Sequence, residues 1–204
     1  MTTVVGVSEG FDRAVALLRR GELVAFPTDT VYGVGAAVWN QEAVGRLYAA
    51  KLRSPDKAIP VLVADAADLE VVARDVSPSA LRLAQHFWPG PLTLVVPRAQ
   101  GIPDVVNPGG ESVAVRLPDH AVARDLIRAV GSPLATTSAN LSGRPSATTA
   151  QEVADQLGGQ VALILDAGRC PGGVASTVVD VTGPEPVLLR SGPIDMDAIM
   201  AALA

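Results

Sequence analysis

Apolar residues in this chain recur at two spacings, three-to-four apart and in short unbroken runs, and the two patterns alternate almost from end to end. Phe11, Ala14, Val15 and Leu18 share one face at helical spacing, which predicts a helix opened by Ser8 and ended by Gly21. The run Leu23–Phe26 predicts a buried strand, stopped by Pro27. Asn40 stands in capping position before a second helical face of Val44, Leu47 and Tyr48. Ile59 to Val63 predicts another strand. Helices are expected from Asp65 to Arg74 and from Ser77 to His86, the latter with Pro78 at its first position.

Further along, Leu92–Val96 and Ser112–Leu117 read as strands around a Gly/Pro-rich loop from Gly101 to Gly110. Asp119 is expected to cap a helix through Val122, Leu126 and Ile127 to Gly131, and Pro133–Thr136 is a short strand. Thr149 and Glu152 have capping-box spacing. Val161–Leu165, Thr177–Val181 and Val187–Leu189 complete the strands, and a short helix starts at Asp195. Two stretches, Leu92–Leu117 and Val161–Leu189, join strands with no helix between them. The expected fold is therefore α/β, a twisted mixed parallel and antiparallel sheet with flanking helices, rather than a doubly wound parallel one. With no internal repeat or linker, one domain over residues 1–204 is expected.

Composition narrows the classes. The 204 residues are 49% hydrophobic, enough to bury a core and exclude disorder. Net charge is −5, and only two Trp, two Tyr and three Phe are available for stacking, which counts against a nucleic-acid face. The single cysteine, Cys170, excludes an internal disulfide framework and a Cys-cluster metal site. The N-terminus has no basic or apolar leader pattern and no run reaches about 18 apolar residues, so a cytoplasmic protein outside the membrane is expected.

The motifs for a phosphate-binding loop, a dinucleotide fingerprint and a zinc protease helix are missing. His86 and His120 lack partners at ligand or triad spacing, and Cys170 has no local histidine to activate it. Polar density gathers instead at strand ends. Pro27–Gly33 carries three hydroxyls and a carboxylate, and Thr136–Ser146 carries five hydroxyls and Asn140. Lys51, Arg53 and Lys57 cluster at a helix C-terminus, where they either complement its dipole or clamp phosphate. Arg116 ends an otherwise apolar strand, and Ser176 and Arg190 repeat the style. Cations and hydroxyls without a nucleophile–base pair suit positioning and charge stabilisation on a phosphorylated ligand, as in nucleotidyl or phosphoryl transfer.

At these residues the chain resembles the YrdC-like family, the threonylcarbamoyl-AMP synthases. The resemblance rests on F-P-T-D-T-V-Y-G-V-G at Phe26–Gly35, K-L-R at Lys51–Arg53, F-W-P-G-P-L-T at Phe87–Thr93, V-A-V-R-L-P at Val113–Pro118, T-S-A-N-L-S-G at Thr137–Gly143, S-T-V-V-D at Ser176–Asp180 and L-L-R-S-G at Leu188–Gly192. Together they span about residues 10 to 193, in order. The resemblance implies a concave, cationic cleft. It also implies formation of L-threonylcarbamoyl-AMP and pyrophosphate from L-threonine, bicarbonate and ATP, a nucleotidyltransferase reaction. A downstream threonylcarbamoyl-transferase complex would use that product to modify tRNA, so tRNA is engaged indirectly. The rival readings are a nucleotide- or RNA-binding paralogue without synthesis and a carbamoyl-adenylate-forming domain.

Carried over residue by residue, the resemblance implies threonine contacts at Thr30, Tyr32, Arg116, Thr136 and Ser176. It implies ATP contacts at Lys51, Arg53, Lys57, Ser112, Ser138, Asn140, Ser146 and Arg190, with Lys51 and Arg53 catalytic. Mg²⁺ is expected to be held by the ATP phosphates, with no side-chain metal site. The family often has R-P-x-x-x-P-L after the lysine, whereas Arg53 is followed here by Ser54-Pro55-Asp56-Lys57-Ala58-Ile59-Pro60, so the turn is expected to differ. The chain resembles the short branch without an additional C-terminal domain.

Overall fold

The computed structural model describes residues 2–204. Ten strands form one mixed sheet: β1 (Thr3–Gly6), β2 (Val24–Phe26), β3 (Gly33–Ala37), β4 (Val61–Leu62), β5 (Leu92–Pro97), β6 (Ser112–Arg116), β7 (Leu134–Ser138), β8 (Leu163–Asp166), β9 (Thr177–Asp180) and β10 (Val187–Arg190). Their order across the sheet is β1-β8-β2-β3-β7-β4-β6-β5-β9-β10. β8 runs parallel to β1 and β2, β4 parallel to β6, and β5 parallel to β9; the remaining pairs are antiparallel. The expectation of a mixed sheet holds.

Seven helices flank it: α1 (Val7–Arg19), α2 (Gln41–Lys51), α3 (Leu69–Val72), α4 (Pro78–Phe87), α5 (Ala121–Val130), α6 (Ala150–Leu157) and α7 (Met196–Leu203). Asn40, Ser77, Thr149 and Asp195 cap their helices as expected, each side chain accepting from a backbone N–H three residues on. Ser8 and Asp119 do not. α1 starts two residues early behind Gly6, and α5 starts behind His120, neither with a side-chain cap. The helix expected over 65–74 is interrupted, a short 3₁₀ turn at Ala66–Asp68 leading into α3. β1 and β3 were not legible as strands; Gly33 and Gly35 dilute the apolar signal of β3.

Alternation within strands sends side chains to two faces, and each face has its own core. On one, Val34, Val61, Leu94, Val115 and Val179 pack with Leu47, Leu83, Val153, Leu157 and Ile199 from α2, α4, α6 and α7. On the other, Val24, Phe26, Leu62, Leu134 and Leu163 pack under Ala14 and Leu18 of α1 and Leu126 and Ile127 of α5. That second cover ends at β4. Beyond it, the same face of β6, β5, β9 and β10 stays open, and the cavity lies there.

Candidate active site

The cavity has a volume of about 300 Å³, at the lower end of the roughly 300–1,000 Å³ usual for small-molecule sites. Its wall is built from strands and loops, with no helix residue among the lining. Same-face neighbours supply the floor: Thr136 and Ser138 from β7, Leu62 from β4, Ala114 and Arg116 from β6, Thr93 and Val95 from β5, Val178 from β9 with Ser176 just before it, and Leu189 and Arg190 from β10. Adjacent residues of a strand normally face opposite ways. Leu189 and Arg190 both line the cavity because the β9–β10 register slips between Leu188 and Arg190. The loop after β2 adds Thr28, Thr30 and Tyr32.

Of the residues expected at the site, Thr30, Tyr32, Arg53, Arg116, Thr136, Ser138, Ser176 and Arg190 meet at this wall. Arg116 is buried, with Nε donating to the Gly90 carbonyl at 3.0 Å, Nη1 to Thr30 Oγ1 at 2.9 Å and Nη2 to Asp29 Oδ1 at 2.5 Å. Thr28 Oγ1 lies 3.0 Å from Thr30 Oγ1 and donates to the Val31 carbonyl at 2.7 Å, so the hydroxyl loop is internally fixed. Thr136 faces Gly35 across the β3–β7 ladder. A methyl on Gly35 would stand 3.0 Å from both Thr136 Oγ1 and Phe26 Cε1, so glycine leaves the room the threonine occupies.

On the opposite wall, Ser176 Oγ is 2.8 Å from Thr93 Oγ1, and Arg190 Nη2 donates to Ser176 Oγ at 3.0 Å and to its carbonyl at 2.8 Å. Arg53 Nη2 donates to the Ala58 carbonyl at 2.8 Å and Nε to the Lys57 carbonyl at 3.2 Å. Among the described residues neither Arg53 nor Arg190 forms an ion pair with a carboxylate. Burial lowers the pKa of both, and for Arg190 the charge of Arg53 adds to it. Two guanidiniums without a carboxylate partner line one cavity together with the buried Arg116, which gives its wall a cationic character.

Five expected residues lie elsewhere. Lys51 is fully buried beneath the wall. Its ammonium donates to the carbonyls of Ser138 and Asn140 and reaches Asn140 Oδ1 at 3.4 Å. Burial, with Arg53 adding, pulls its pKa down to about 7. In this structure the ammonium thus engages the loop that presents Ser138, and Lys51 is not among the residues lining the cavity. Asn140 is likewise a loop brace, donating to the carbonyls of Leu141 at 2.9 Å and Arg144 at 2.8 Å. The Lys57 side chain is exposed, and only its carbonyl engages the site, through Arg53. Ser112 begins β6 on the Arg116 face, but it is four residues away and engages Asn107. Ser146 lines a separate depression with Leu141, Arg144 and Glu152. Tyr32 touches the cavity, yet its hydroxyl points elsewhere and donates to the Gly168 carbonyl at 2.8 Å.

The residues not singled out from sequence are Asp29, Thr93 and Leu189. Asp29 and Thr93 stand inside quoted motifs, and only their cross-chain partners reveal a role. Cys170 is buried, and burial pushes its thiol up to about 11, which removes it as a nucleophile at neutral pH. Among the described residues no group of three or more His, Cys, Asp or Glu gathers to hold a metal, and no helix is long and apolar enough to cross a membrane.

Comparison with known proteins identifies relatives of the whole fold. The threonylcarbamoyl-AMP synthase of Pyrococcus abyssi is 43% identical over 204 residues, covering 98% of this chain and 60% of the relative. That of Bacillus subtilis is 46% identical over 195 residues, covering 94% of this chain and 56% of the relative. The chain thus spans less than two thirds of the length of these curated relatives. The crystal structure of P. abyssi Sua5 complexed with L-threonine superposes with a TM-score of 0.93 at 41% identity, covering 100% of this chain and 60% of that one. The Sua5/YciO/YrdC family model, described as "Telomere recombination", matches residues 16–192, the span that holds every wall of the cavity, and it is to this family that the chain belongs.

Proposed function

We propose that the chain is an L-threonylcarbamoyladenylate synthase, converting L-threonine, bicarbonate and ATP to L-threonylcarbamoyl-AMP and pyrophosphate. The observation that carries this reading is the gathering of Arg53, Arg116 and Arg190 with Thr30, Thr136, Ser138 and Ser176 on one open sheet face. The curated relatives bear the synthase name, and a Sua5 protein of this fold binds L-threonine.

In this reading, the deep Arg116 with Thr30 takes the carboxylate of threonine, and Thr136 and Ser176 take its polar groups. Arg53, Arg190 and Ser138 take the phosphates, and Lys51 and Asn140 hold the Ser138 loop in place. The threonine amine captures CO₂ from bicarbonate as a carbamate. A carbamate oxygen then attacks the α-phosphorus, forming the P–O bond of the mixed anhydride while the bond to pyrophosphate breaks. Negative charge builds on the transferring and departing phosphates, so fixed guanidiniums in a partly desolvated cavity stabilise the transition state more than an acid–base pair would. The wall carries hydroxyls and cations but no carboxylate, a donor set suited to Mg²⁺ arriving as the ATP complex. The product, an acyl phosphate anhydride, requires a downstream acyl transfer, here onto tRNA by a partner complex.

The test is incubation of the purified chain with MgATP, bicarbonate and L-threonine, following pyrophosphate and the adenylate. Threonine-dependent release of both is expected. Nucleotide binding without turnover, or turnover independent of threonine, refutes the proposal.

A further inference from the structure

Arg116 uses three of its five N–H groups inside the protein, on Gly90, Thr30 and Asp29. Two remain, one on each terminal nitrogen, the number a carboxylate takes in a two-pronged pair. Thr30 lines the cavity, but Asp29 does not. Asp29–Arg116 is also unlike the other ion pairs of the described residues. Its side chains are 13% and 8% exposed, whereas every other pair has a partner at least 55% exposed.

Asp29 is itself fixed. Its carbonyl accepts from Gly172 N at 3.0 Å, and the next carbonyl, Thr30, accepts from Gly173 N at 2.8 Å. A methyl on Gly172 would stand 2.7 Å from the Asp29 oxygen, so this contact has no slack. The tethered loop continues directly into Ala175 and Ser176 of the opposite wall. One residue therefore connects Arg116, through its carboxylate, to the loop that leads into the opposite wall, through its main-chain carbonyl.

We propose that Asp29 is a positioning residue for the amino-acid substrate: it holds the Arg116 guanidinium so that its two remaining N–H groups face the substrate carboxylate, without touching the substrate. The inference rests on the proposed placement of a carboxylate at Arg116. The pair also keeps the empty cavity from burying an uncompensated cation. Without Asp29, the guanidinium keeps only the Gly90 and Thr30 bonds and is free to tilt. Such a loss weakens ground state and transition state alike, which appears in KM rather than kcat.

The experiment compares the wild-type chain with Asp29→Ala and Asp29→Asn, titrating L-threonine at saturating ATP and bicarbonate. Asp29→Ala is expected to raise the KM for threonine about tenfold, with kcat within about twofold and the KM for ATP unchanged. Asp29→Asn, which keeps an acceptor of the same shape, is expected to raise it about threefold. An unchanged KM for threonine, or a fall in kcat at constant KM, overturns the inference while leaving the synthase reading intact. If Asp29→Ala does not melt cooperatively, Asp29→Asn decides. Calorimetric titration with L-threonine alone separates the two claims: binding by the wild type that weakens in the variants supports the inference even without turnover, and no binding by the wild type overturns it.

Discussion

Lys51 and Asn140 are joined twice, the buried ammonium of Lys51 donating to the Asn140 carbonyl and reaching its side-chain oxygen at 3.4 Å. The last turn of α2 is thereby bolted to the loop leaving β7, and Ser138 is held at the cavity wall by the same nitrogen. Lys51→Met keeps the length of the side chain but leaves the Ser138 and Asn140 carbonyls without their donor. A loss of about 1–3 kcal/mol in urea unfolding is expected, together with loss of synthesis. Lost activity with wild-type stability would place the ammonium on the phosphates instead.

The same lysine should leave a mark on the pH dependence of stability. Its pKa near 7 in the folded protein lies well below the 10.5 of an exposed lysine. Below pH 7 both folded and unfolded chains carry the proton, and the full cost of burying the charge is present. Between 7 and 10.5 the folded chain releases a proton that the unfolded chain keeps, so this contribution improves with rising pH, by up to about 1.4 kcal/mol per unit. Subtracting the Lys51→Met curve isolates it from other titrations, Cys170 included. A difference that stays flat across this window refutes the assignment.

Two glycines should respond oppositely to the same substitution. At Gly35 a methyl meets Phe26 and Thr136 at 3.0 Å, so Gly35→Ala is expected to cost about 1–3 kcal/mol and to weaken threonine binding by displacing Thr136. At Gly45, inside α2, nothing lies within 4 Å, and alanine is the better helix former. Gly45→Ala is expected to stabilise by about 0.5–1 kcal/mol with unchanged activity. Thermal melts and threonine titrations of both variants check the pair.

The unpaired cations Arg53 and Arg190 predict stabilisation by polyanions. Pyrophosphate should raise the melting temperature of the wild type in a concentration-dependent way. Arg190→Ala should lose most of that rise and weaken ATP binding about tenfold, with little change in its own melting temperature. An equal rise in wild type and variant would move the anion site elsewhere.

Leu52 follows α2 with a left-handed backbone, φ 52°, and a side chain that is 79% exposed. Glycine adopts that conformation without strain, so Leu52→Gly is expected to stabilise the fold by about 1 kcal/mol. A destabilised variant would show that the exposed side chain has a packing partner in solution.

What the chain determined by itself was local: which segments are amphipathic, where Asn40, Ser77, Thr149 and Asp195 open helices, that the sheet is mixed, and which loops hold the cations and hydroxyls. These follow from side-chain spacing and backbone hydrogen-bonding preferences within about one turn of helix or one strand. The tertiary structure decided what each polar group meets. Lys51 and Arg53 are two residues apart, yet one is buried under the wall and the other lines it, because the left-handed turn at Leu52 falls between them. Asp29 finds Arg116 across 87 residues, and Leu189 joins Arg190 on one face through a register slip. Strands adjacent in this sheet are mostly distant in sequence, so the partner of a charge is set by strand order and by where the helical cover stops, neither of which is written in local pattern.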